Sequence, residues 1–236
     1  MHCKDLRGVI SVATGSFLMH LVLHYDSLGA TQQARLDALN KDMKDFQTSQ
    51  ATRAPHPMPP LRLKDLKTDG WHDLSGPLIK AANTRCLVPW LRDLARRKMS
   101  PHGGYSRAVI KVFDALYEIE QIMYSSDIFL SDIQKSEFSA QFLIVGEAWM
   151  FLRSESRLAR VDAWQIKYKC HAFLHLPSQA DLINPRFVQV YAEESLMGKV
   201  TRVWKACARG PYAPTVQHSV LSRIWSGLEM RFTADL

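Results

Sequence analysis

Apolar residues recur at helical spacing along most of the chain. From Val9 to Leu23 the run is apolar, broken by Thr14, Gly15, Ser16 and His20, and it reads as a buried first helix running to Tyr25 and ended by Ser27-Leu28-Gly29. Thr31 then caps a second helix, in which Leu36, Leu39, Met43 and Phe46 fall three and four apart. Its other face carries Arg35, Asp37, Lys41, Asp42 and Lys44 and reads as solvated. Pro55, Pro57, Pro59 and Pro60 exclude helix, so 51–61 reads as a Pro-rich linker between an N-terminal helical hairpin (1–50) and a helical main body (62–236). The hairpin and main body are expected to form one compact unit.

Asp69-Gly70 marks a turn, and Ser75-Gly76-Pro77 caps a helix predicted from Leu78 to Lys98, kinked or divided at Pro89. Tyr105 to Tyr124 is a further helix, with Val109, Val112, Phe113, Leu116 and Ile119 on one side. Ser131 and Gln134 form a capping box for a long helix to about Glu155, built around Ile133, Phe138, Phe142, Val145, Trp149 and Leu152. A short helix from Lys169 to Leu176 should stop at Pro177, and Phe187, Val188, Val190 and Tyr191 could form one short strand. Helices over 193–209 and 215–232 close the chain. The fold class that follows is mainly α, a multi-helix globular bundle with at most one small strand or minor sheet.

Composition sharpens this only slightly. The 236 residues are 47% hydrophobic and 22% charged, which excludes a disordered chain, a collagen or a coiled-coil rod. The four cysteines, Cys3, Cys86, Cys170 and Cys207, lie far apart with no CxxC pair, as expected of thiols in a reducing compartment. Lys4 and Arg7 before the first apolar run resemble a signal peptide. Asp5, His20 and His24 argue against that, and the run is short for a membrane span of about 20 residues. An intracellular location, the nucleus included, with no membrane partner, is therefore expected ahead of secretion, and the abrupt start suggests a piece of a longer chain.

Charge points to partners. The 30 basic against 23 acidic residues give +7, and residues 151–236 hold 12 basic and 7 acidic of these. Such an excess favours an anionic partner, DNA or RNA first, though a soluble protein that is merely basic fits equally. Arg85, Arg92, Arg96 and Arg97 cluster in one segment, and Lys199, Arg202, Lys205 and Arg209 recur along one helix face. Either stripe could neutralise phosphates or be an ordinary solvated face.

Two further constellations carry candidate chemistry. His20 and His24 stand four apart, as do His171 and His175, each a pair that one helix face could offer to zinc. The HExxH general base is missing from both, and hydrogen-bonded core histidines are the plainer reading. Asp5 before the first helix, with Glu193 and Glu194 at a helix start, could bind divalent metal if they converge; otherwise the glutamates only complement their helix dipole.

Three stretches together carry a resemblance: His2-x-x-Asp5-x-x-Gly8-Val9, Leu74-x-Gly76-Pro77-x-x-Lys80-Ala81-Ala82-Asn83-Thr84-Arg85, and Lys169-x-His171-x-x-x-His175 leading to Asn184-Pro185-Arg186-Phe187 and Glu193-Glu194-Ser195. On these the chain resembles a multi-copy family of algal proteins whose copy number and motif order are similar to transposon-derived reading frames. The resemblance implies descent from an RNase H-like, DDE-type transposase, with Asp5 and Glu193 or Glu194 at metal-binding positions and the helices between as an insertion. The first acidic position of that triad has no counterpart in this chain. The expectation is therefore a nucleic-acid-associated protein, catalytically incomplete and at most the remnant of a nuclease. No cofactor is expected, save a divalent ion such as Mg²⁺ if the carboxylates converge. A helical scaffold or protein-interaction module, with other proteins as partners, is the alternative.

Overall fold

Helix α1 (Lys4–His24) is apolar on every side, and a helix of that kind has to be enclosed. Val9, Ile10, Val12, Ala13, Phe17, Leu18, Leu21 and Val22 are all essentially without solvent contact. The structure is a computed structural model that describes residues 4–49, 58–68, 70–75 and 86–188. These all belong to one unit, Met1–Val188.

Around α1 pack α2 (Gln32–Ser49), a 3-10 turn at Leu63–Leu66 and a two-strand hairpin, β1 (Lys67–Thr68) with β2 (Trp71–His72). The strands are antiparallel, with Lys67 opposite His72 and Thr68 opposite Trp71. Gly70 turns the chain at φ +84°, a conformation that glycine alone adopts without strain. Then come α3 (Val88–Lys98), α4 (Gly104–Ser125), α5 (Asp132–Leu158), α6 (Tyr168–Leu174) and α7 (Leu176–Ala180), with a 3-10 turn at Pro185–Val188. The mainly α class is what the structure has.

Helices α4 and α5, joined by a six-residue loop, pack along each other, and α3 lies against α4. Helix α6 lies on α1, and Phe173 of α6 stacks on Phe142 of α5 with centroids 4.3 Å apart. Phe17 and Phe113 meet at 5.2 Å, tying α1 to α4. Ser131 and Gln134 cap α5 reciprocally, as the sequence predicts, at 2.9 and 3.3 Å. Thr31 likewise accepts from Ala34 N–H at 3.1 Å at the start of α2. Asn184 is wholly buried and ties the chain after α7 to the α4–α5 loop. Its Nδ2 donates to the carbonyls of Met123 and Asp127 at 2.9 and 3.0 Å.

Several expectations are corrected. Arg35 is buried, because its guanidinium donates to the Val22, Leu23 and Gly29 carbonyls at 2.9, 3.1 and 2.8 Å and pairs with Asp26. The last carbonyls of α1 have no intrahelical partner, and a five-donor fork satisfies them where a solvated residue would not. Ile133 is 79% exposed: it sits in the first turn of α5, on the face turned away from Phe138 and Phe142. Pro89 lies in the first turn of α3 and opens that helix, and Pro177 does the same for α7, since a first-turn residue needs no N–H. Phe187 and Val188 lie in the closing 3-10 turn, and the only strands among the described residues are β1 and β2. The helix predicted before Val88, and most of the Pro-rich linker, lie outside the described residues.

Candidate functional site

A polar cleft of ≈ 260 Å³ lies where four elements meet. Helix α1 supplies Ser16, His20 and His24, spaced one helical turn apart so that they share a face. Strand β2 supplies His72. What brings it there is Gly15. Segment 72–74 crosses α1 so closely that a Cβ at Gly15 would lie 2.5 Å from the Asp73 Cα. Leu74 N–H then donates to the Ser11 carbonyl at 2.9 Å, and His72 N–H to the Asp162 carbonyl at 2.8 Å. From α4 comes Tyr105, whose ring lies 4.6 Å from that of His20 and whose hydroxyl accepts from Trp164 Nε1 at 3.1 Å. Glu155 and Ser156 of α5 and the loop through Val161 and Ala163 close the wall.

Burial sets the protonation states. Removal from water, helped by the neighbouring His24 and His72, lowers the His20 pKa to about 4. His72, 6% exposed, is lowered by burial, with Lys67 acting the same way, Asp162 opposing and His24 adding to the effect. Burial pushes the Tyr105 hydroxyl up to about 12. At neutral pH the cleft therefore presents uncharged imidazoles from two elements. The Nδ1 atom of His72 is buried and has no hydrogen-bond partner among the described residues.

A second concavity, of ≈ 520 Å³, differs in kind. It runs between α5 and α6 beside Val9 of α1, and Phe142, Trp149, Ile166 and Phe173 line it. Glu147 is the one charged side chain among its described lining residues. Leu143 and Met150 rim it at 69% and 60% exposure, with Ile166 and Leu174 about half exposed. Trp149 Nε1 is buried with no partner among the described residues.

The arginines of α3 are engaged elsewhere. Arg92 donates to Asp114 and Glu118 at 3.0 and 3.3 Å and lies 4.1 Å over the Tyr117 ring. Arg96 pairs with Asp114 at 2.9 Å, and Arg97 with Asp93 and Asp42 at 2.7 and 2.9 Å. Seen singly in sequence these residues form a stripe; in the fold they knit α3 to α4 and α2. Arg85, Lys199, Arg202, Lys205 and Arg209 lie outside the described residues.

The predicted carboxylate site cannot be assembled from what is described. Asp5 falls inside the first turn of α1 rather than before it, its side chain lies outside the described set, and Glu193 and Glu194 do too. His171 belongs to α6, whereas His175 sits past its end at the start of α7, so the pair does not share one helix as predicted. Among the described residues no three His, Cys, Asp or Glu side chains converge to hold a metal ion together. None of the helices described there is long and apolar enough to cross a membrane.

Sequence reading found His20 and His24 but not their companions. His72, Tyr105 and Glu155 come from distant segments, and nothing in local spacing links them. For the groove a signal did exist: Leu143 and Met150 sit on α5 off the core stripe of Phe138, Phe142, Val145, Trp149 and Leu152. Compared with known protein families, with characterised proteins and with solved structures, the chain matches none.

Proposed function

We propose that this chain is a helical protein-interaction module whose α5–α6 groove receives an amphipathic helix carrying a lysine or arginine among apolar anchors. The observation that carries this reading is the groove itself, an apolar trough with exposed Leu143, Met150, Ile166 and Leu174 at its rim and one carboxylate, Glu147, among its described lining residues. Contiguous apolar surface is costly to leave in water and marks contact sites. A helix in a groove satisfies it through anchors at i, i+3/i+4 and i+7. Charge complementarity selects a cationic occupant.

The test uses two fluorescent 18-residue amphipathic peptides, one of Leu and Lys and one of Leu and Glu in the same pattern. Anisotropy should show the Leu/Lys peptide binding at least tenfold more tightly, despite the protein's net +7. Met150→Asp should abolish binding, and Glu147→Gln should erase the preference. Equal binding of both peptides, or none, defeats the reading.

The charge pattern supports a second reading, a nucleic-acid-associated protein of transposase descent, catalytically incomplete in this form. Its support is the basic excess of the C-terminal third, where Lys199, Arg202, Lys205 and Arg209 recur at helical spacing. Replacing all four by Gln should weaken binding to duplex DNA and reduce the slope of log K against log salt by about 3–4. Absence of DNA and RNA binding by the wild type at low salt removes this reading and leaves the first.

A further inference from the structure

We propose that His20 and His24 form a two-imidazole site for a borderline divalent transition ion of the Zn²⁺ or Ni²⁺ class, held in the cleft beside His72. Nothing in this inference depends on the apolar groove.

Geometry is the first support. Two imidazoles that share one tetrahedral ion at about 2.1 Å per nitrogen hold their ring centroids about 5 Å apart. The centroids of His20 and His24 are 5.0 Å apart on consecutive turns of α1. The Tyr105 ring packs against that of His20, with centroids 4.6 Å apart, and limits its rotation. The cleft, at ≈ 260 Å³, has room for an ion with its remaining waters, each of which needs about 30 Å³.

His72 is the second and independent support. It comes from a different element, is more than nine-tenths buried and lines the same cleft with Nδ1 unpartnered among the described residues. A buried imidazole nitrogen without a partner is costly, and a water on the bound ion would donate to it. Glu155 adds a carboxylate to the same wall.

The chemistry selects the ion. Neutral imidazoles are donors for Zn²⁺, Ni²⁺ and Cu²⁺, whereas Mg²⁺ and Ca²⁺ require oxygen ligands that this cleft does not supply in number. Because only two protein donors are in place, the ion keeps open positions and binds exchangeably rather than as a closed structural centre.

Isothermal titration of chelator-stripped full-length protein with ZnCl₂ or NiCl₂ alone at pH 7.5 tests the site. One ion per chain in the micromolar range is expected. His24→Gln, at an exposed position on the rim, should weaken binding at least tenfold, and His72→Gln about threefold. His20→Gln should abolish it; thermal melts check that this variant folds, and if it does not, His24→Gln decides alone. Binding that His24→Gln leaves unchanged, or no binding by either ion, overturns the proposal. With Co²⁺ as probe, visible d–d bands lost in His24→Gln provide a readout that protein stability does not affect.

Discussion

Gly15→Ala is expected to cost about 3 kcal/mol of stability, a fall of roughly 6–12 °C in Tm for a protein of this size. The added methyl would lie 2.5 Å from both Cα and N of Asp73 and 2.6 Å from its carbonyl carbon. Carbon atoms pack at about 3.5–4.0 Å, so backbone has to move, and no side-chain rotation relieves the clash. In an exposed helix the same change would gain up to about 1 kcal/mol from helix propensity. Gly146 supplies the control. A Cβ there meets only Leu174 Cδ2, at an ordinary 3.6 Å, so Gly146→Ala should be neutral or stabilising. Chemical denaturation of the two variants side by side measures the contrast. Equal effects at both positions would show that the 72–74 segment does not bear on α1. Gly15→Ala should also weaken Zn²⁺ binding, because it displaces the strand that delivers His72.

Acidification is the second large effect. The His20 pKa is about 4 in the folded chain and about 6.5 when unfolded, so between those values the unfolded state binds a proton that the folded state refuses. Stability therefore falls as pH drops through 6.5, and the loss levels off below about 4. The shift corresponds to on the order of 3 kcal/mol, and His72, also lowered by burial, acts in the same direction. Urea midpoints measured with chelator present at pH 7.5, 6, 5 and 4.5 should decline for the wild type. They should decline distinctly less for His20→Gln, which cannot take up the proton. Carboxylates contribute to acid loss in both proteins, so the difference between the two curves is the decisive quantity. Parallel curves would mean that His20 is not held neutral in the folded chain.

Where physics is local, the chain could be read directly. The apolar run of α1 dictated enclosure because no helix face is left for water. Ser131 with Gln134, and Thr31, marked helix starts correctly because a cap satisfies donors only two or three residues away. The core stripe of α5 was visible from Phe138 onward, because a period of 3.6 over five positions has one geometric reading. Ile133 failed at the helix end, because at 3.6 residues per turn it lies on the face opposite the stripe of Phe138 and Phe142. Arg35 failed for the opposite reason: charge predicted a solvated position, and the open carbonyls at the end of α1 drew it inward.

The site was decided by tertiary structure. His20 and His24 announce a helix face through their spacing, but spacing cannot say whether that face meets solvent, core or a cleft. Closing the cleft required His72, Tyr105 and Glu155, separated from α1 by tens of residues; His72 comes in through one glycine that lets backbone cross backbone at Asp73, and the other two on packed helices. Likewise the α3 arginines read as a basic stripe until Asp114, Glu118 and Asp42 arrive from α4 and α2 to neutralise them. A one-dimensional pattern carries the period of a helix and the chemistry of its ends, because both depend on neighbours within about four residues. Which charges meet, and which imidazoles lose their water, depends on contacts between distant segments, and those exist only once the helices have packed.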